Sequence, residues 1–62
     1  MIRKIIEKEI KQDGKCIIEI IGFNGRDYLS EARMMEKEGL VEIEVISQNM
    51  TKVTYQVTKK RI

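Results

Sequence analysis

Ile5-Ile6-Glu7-Lys8-Glu9-Ile10-Lys11-Gln12-Asp13-Gly14-Lys15-Cys16-Ile17-Ile18-Glu19-Ile20-Ile21 is the stretch on which the fold turns. Asp-Gly between two β-rich runs is a strong hairpin signal. Residues 5–11 and 15–21 then read as paired strands. The first run also fits a helix: Ile2, Ile5, Ile6 and Ile10 fall on one helical face, and Glu7, Lys8, Glu9 and Lys11 are good helix formers. A strand is favoured, because the isoleucine-rich second run needs a neighbour beside it. In that run Cys16, Ile18 and Ile20 point one way and Ile17, Glu19 and Ile21 the other. Both faces are largely apolar. An interior strand of a sheet with one covering helix leaves the second face for another molecule, most simply a second copy. Ile17 and Ile21 are the expected self-association residues.

Downstream, Gly22-Phe23-Asn24-Gly25-Arg26 is a turn. Asp27, or alternatively Ser30, is placed to cap a following helix. Tyr28, Leu29, Ala32 and Met35 form its apolar stripe, while Ser30, Arg33 and Lys37 lie largely away from it. Gly39 ends it as a left-handed cap. Val41, Ile43 and Val45 alternate with Glu42 and Glu44, and Val53, Tyr55 and Val57 alternate with Thr54, Gln56 and Thr58. This is a half-buried antiparallel hairpin joined by Ser47-Gln48-Asn49-Met50, with Asn49 the residue best suited to positive φ. The expected fold is α+β: one β-β-α-β-β domain spanning residues 1–62, an antiparallel sheet with one helix on one face.

A chain of 62 residues buries only about 60% of its unfolded surface. Domains of this size lean on disulfides, metals or oligomerisation. One cysteine and no histidine exclude an internal disulfide and a zinc site of the usual ligands, so a homodimer is expected. The lone thiol, the charges at Glu7, Lys8 and Glu9 that interrupt any signal-like run, and the lack of a long apolar stretch read as a cytoplasmic protein without a membrane contact.

The absence of histidine also removes His-based acid–base and nucleophile pairs, and no phosphate-loop or dinucleotide motif occurs. Glu42 and Glu44 share a strand face that alternation already assigns to solvent. Cys16 reads as a small buried hydrophobe. Met35 belongs to the core, while Met34 and Met50 read as exposed. The reading is a non-enzyme without cofactor or metal: a small interaction module that self-associates. The alternative is nucleic-acid binding. One version uses Gly22, Gly25 and Arg26, where glycines permit close approach to phosphate and a helix N-terminus offers free N–H groups. The other uses the basic end, Lys52 with Lys59, Lys60 and Arg61. Phe23, Tyr28 and Tyr55 are too few aromatics for a broad base-stacking platform.

Three resemblances accompany this reading. Asp13-Gly14, Gly22-Phe23-Asn24-Gly25, Leu29, Ala32 and Gly39, over residues 5 to about 45, resemble a family of small uncharacterised bacterial proteins with the order strand, Asp-Gly, strand, Gly-x-x-Gly, helix, Leu-Gly, strand. Tyr28 stands about where that family carries a cysteine. The resemblance implies an order of elements and no function. Ile20 to Arg26 with the helix after it resembles the core of the KH RNA-binding domain, in which a Gly-x-x-Gly loop joins two helices and clamps a single strand. It implies RNA contact at Gly22, Gly25 and Arg26, although Phe23-Asn24 lacks the usual basic residue. Gly39-Leu40-Val41 and the hairpin up to Thr58 resemble the end of a winged-helix domain, which implies two further helices upstream.

Overall fold

The computed structural model describes residues 1–60 of the chain. Its elements run α1 (Ile2–Asp13), β1 (Cys16–Ile21), α2 (Arg26–Lys37), β2 (Val41–Gln48) and β3 (Lys52–Lys59). The class is α+β, and the order is α-β-α-β-β rather than the expected β-β-α-β-β. The difference lies in the opening segment, which is helical. Ile2, Ile6 and Ile10 recur at four-residue intervals, and Ile6 is wholly buried while Ile2 and Ile10 pack against the core. Gly14 is therefore a helix terminus and not a hairpin turn. At φ 79° it takes the left-handed conformation, and its N–H donates to the Ile10 carbonyl at 2.8 Å, the single-bond form of the glycine C-terminal cap.

With α1 removed from the sheet, β1 finds its partner at the far end of the chain. The three strands are antiparallel in the order β1-β3-β2. β1 is thus an edge strand, not the interior strand expected from its isoleucines, and β3 is central. Register sets the faces. Cys16, Ile18 and Ile20 stand opposite Val57, Tyr55 and Val53, and Val57 and Tyr55 also stand opposite Ile43 and Val45. This inner face receives both helices. Ile6 of α1, Ala32 and Met35 of α2, Cys16, Ile18, Val41 and Val57 form the buried core. The outer face carries Ile17, Glu19 and Ile21 beside Gln56, Thr54 and Lys52, with Glu42 and Glu44 beyond.

The second half follows its sequence pattern. Tyr28 and Leu29 pack against the core beside Ala32 and Met35, as the stripe requires. Gly39, at φ 81°, ends α2: its N–H donates to the Glu36 carbonyl and the Leu40 N–H to the Met35 carbonyl, both at 3.0 Å. This is the paired Schellman arrangement. The β2–β3 hairpin is as expected, with one bulge where Ile46 is inserted between the Val45–Tyr55 and Ser47–Thr54 pairs. Asn49 does not take positive φ, because its side chain closes the turn instead. Its Oδ1 accepts from the Thr51 and Lys52 N–H groups at 2.9 and 2.8 Å, an Asx-type closure that leaves the backbone unstrained.

Three side chains join the helices across long sequence separation. Arg3 donates through Nε to Glu31 at 2.9 Å, and through Nη1 and Nη2 to the two carboxylate oxygens of Glu38 at 3.0 and 2.7 Å. The fork holds the start of α1 against the last turns of α2. The hydrogen bond from Arg3 keeps the Glu38 carboxyl below the ordinary range.

Cys16 is buried, and its Sγ–H donates to Glu9 Oε2 at 3.7 Å. Burial first, and then the Glu9 charge, push its thiol up from about 9 to about 11. The folded state therefore resists ionisation that the unfolded state accepts. Stability is expected to fall as pH rises from about 9 toward 11 and to fall less over that interval for Cys16→Ala, which urea titrations at each pH would read. Native Cys16 should react with a maleimide only as fast as the protein unfolds.

Candidate nucleic-acid interface

The Gly22–Gly25 loop is a strand-to-helix turn. Ile21 and Asn24 exchange backbone hydrogen bonds, at 3.2 and 2.9 Å, around the two central residues Gly22 and Phe23. Gly22 has φ 61° and Phe23 does not have positive φ, the pattern of a two-residue turn that needs glycine in its first central position. Gly25 has a different duty. At φ 89° it lies so close to β1 that a Cβ there would overlap the Glu19 carbonyl oxygen. The loop thereby folds back along the outer edge of β1. Ile21 spends its backbone groups on Asn24, and the Glu19 carbonyl lies under Gly25. A sheet edge otherwise open to pairing is partly closed by the chain itself. A strand enters this loop, so the helix–loop–helix setting of the KH clamp is not the setting found here.

Gly25 is also the N-cap of α2, with no side-chain cap. Neither Asp27 nor Ser30 takes the expected capping role, because the turn places glycine at the cap position. Asp27 lies in the first turn, where the helix dipole favours an anion. Arg26, exposed beside it, stacks its guanidinium over the Phe23 ring, 4.8 Å from the centroid.

The remaining cations fall into two groups. Lys52 stands opposite Ile21 on the outer sheet face and bonds Glu19 Oε2 at 3.3 Å. Lys59 and Lys60 are exposed at the other end of β3, and the Lys60 N–H donates to the Leu40 carbonyl at 3.1 Å. Lys52 and Lys59 stand at the two ends of β3, roughly 23 Å apart. The expected basic end is therefore not one patch; Arg61 lies outside the described residues. Lys59 is paired with Val41 and so stands on the helix side. There it rims a groove of about 530 Å³ between α1 and the end of α2, with Lys11, Met35 and Leu40.

One cationic feature was not assembled from the sequence. Arg26, Ser30, Arg33 and Lys37 recur at intervals of four, three and four, and all four are exposed. They form one line down α2. The acids of α2 are largely spoken for. Glu31 and Glu38 hold Arg3, and Glu36 accepts from Arg33 at 3.1 Å. Arg26 and Lys37 have no carboxylate partner among the described residues. Arg33 also lies over the Tyr55 ring, 6.0 Å from the centroid. α2 starts at the Gly22–Gly25 loop and ends beside Leu40, where Lys60 docks. It therefore links the two sites that the sequence suggested separately. The signal was available in the residues facing away from the apolar stripe.

Ile17 and Ile21, the expected self-association residues, are 41% and 48% exposed on the outer sheet face. Glu19, bonded to Lys52, stands between them, so they do not form one apolar surface. Among the described residues no helix is long and apolar enough to cross a membrane.

The geometry ranks two glycine substitutions. Gly14→Ala introduces a side chain into open space at positive φ, at a cost of about 1–2 kcal/mol. Gly25→Ala adds an overlap with backbone to the same strain and should lower the urea midpoint further; equal midpoints would mean that the loop does not hold to β1. Comparison of the chain with family models, with curated proteins and with solved structures returned no match.

Proposed function

We propose that the protein is a non-catalytic nucleic-acid-binding module that works without cofactor or metal. The observation that carries this reading is the exposed line Arg26–Ser30–Arg33–Lys37 down α2. From Arg26 to Lys37 the helix rises about 16 Å, the length of about five stacked nucleotides at 3.4 Å each. Cations two turns and then one turn apart along one helix face suit a phosphate backbone, which supplies most of the affinity in sequence-independent binding. The Ser30 hydroxyl adds a neutral donor between them. Asp27 flanks the line and sets a limit on affinity.

Binding is expected at low salt and should fall steeply as salt rises. Arg33→Ala with Lys37→Ala should lower affinity for a mixed-sequence oligonucleotide about tenfold or more and flatten the slope of log K against log salt by about one to two. Lys52→Ala, on the opposite sheet face and paired to Glu19, should leave both unchanged. Fluorescence anisotropy across a salt series reads all three. An unchanged slope in the α2 double variant would refute this assignment.

A second reading, self-association through the outer sheet face, is favoured by the exposure of Ile17 and Ile21. It accounts for apolar side chains that the helix side leaves uncovered, and it is compatible with the first reading because the two surfaces lie on opposite faces. Analytical ultracentrifugation should show a dimer that Ile17→Lys with Ile21→Lys converts to a folded monomer; a monomer at high concentration in the parent protein rules it out. The buried thiol suits a reducing compartment, and the cytoplasm is the proposed location.

A further inference from the structure

Phe23 is 83% exposed. A lone exposed aromatic is ordinary. What distinguishes Phe23 is the way it is held. It is the second central residue of a two-residue turn closed by both Ile21–Asn24 hydrogen bonds and set by the positive φ of Gly22. Gly25 anchors the same turn against the Glu19 carbonyl. The ring is thus carried on a short, fully bonded support and not on a loose loop. One side of it is backed by the Arg26 guanidinium at 4.8 Å. The other two aromatics, Tyr28 and Tyr55, are half-buried and pack against the core.

We infer that Phe23 is a base-stacking residue, and that the nucleic acid this module takes is single-stranded. The inference rests on the nucleic-acid reading above and names its ligand class. A base on the exposed ring face completes a three-layer stack of base, phenyl and guanidinium, and Arg26 stands at the first turn of the cationic line that would follow the backbone. Such a stack tolerates any sequence, because every base has a π-face. Within a duplex the bases stack on one another and offer no free face to Phe23. Contact with an unpaired base therefore separates single strands from duplexes, which the cations of α2 alone do not.

The chain contains no tryptophan. Phe23→Trp therefore places a single indole reporter at the site, and its exposed position makes the change tolerable to the fold. Oligo(dT) of twelve nucleotides should quench the indole saturably, a twelve-base-pair duplex should not, and Phe23→Ala should lower oligo(dT) affinity about tenfold while changing duplex affinity less than twofold. Circular dichroism verifies that each variant is folded. Three results would overturn the inference. Binding that still responds to Arg33→Ala and Lys37→Ala, with the Phe23→Trp emission unmoved, leaves the cationic line standing and removes the stacking role. No binding of either nucleic acid at low salt removes both. A blue shift with anionic phospholipid vesicles and none with oligo(dT) assigns the exposed ring to a lipid surface.

Discussion

The seating of Ile6 on the inner sheet face is the constraint from which the rest of the structure follows. Once residues 2–13 are helical, β1 has no local partner, and it pairs with β3 from the other end of the chain. That pairing makes β3 central and leaves β1 at the edge. It also turns Cys16, Ile18 and Ile20 toward the helices and leaves Ile17 and Ile21 outside. The apolar content of α1 serves this core: Ile6 is wholly buried, with Ile2 and Ile10 beside it. A core of so few side chains gains from every contact that fixes the helices, and the Arg3 fork to Glu31 and Glu38 supplies one at the surface.

An edge strand rich in isoleucine is a hazard for uncontrolled pairing. Here the chain meets it with the Gly22–Gly25 loop. The two glycines, which in sequence invite a phosphate-clamp reading, have separate structural duties: Gly22 makes the turn and Gly25 allows the backbone to lie on the Glu19 carbonyl. The loop also leads directly into α2, so the element that shields the sheet edge places Arg26 and Phe23 at the start of the cationic line. Protection of the fold and presentation of the proposed site share the same five residues.

Electrostatics on α2 are arranged by pairing as much as by composition. The net charge of +2 is too small to indicate a partner. Yet three of the carboxylates on or just after α2 are tied to arginines, two of them to Arg3 of another helix. Glu31 and Glu38 are drawn to Arg3, which leaves Arg26 and Lys37 without a carboxylate partner among the described residues, while Arg33 shares its charge with Glu36. Only the packing of α1 on α2 reveals this, since Arg3 is 28 and 35 residues from its partners.

The sequence by itself determined the α+β class, the α2 stripe with its Gly39 terminus, and the β2–β3 hairpin. These depend on local signals: helical periodicity, a glycine that reaches positive φ, and alternation with period two. The burial of Cys16 and Met35 and the exposure of Met34 and Met50 were legible for the same reason. Only the tertiary structure decided the state of residues 2–13 and the place of β1, because Asp13-Gly14 suits a hairpin turn and a helix terminus equally well. What selects between them is Ile6, whose burial requires α2 beside it and β1 and β3 beneath it. Residues 2–21 contain β1 but neither α2 nor β3, so no local window completes that contact.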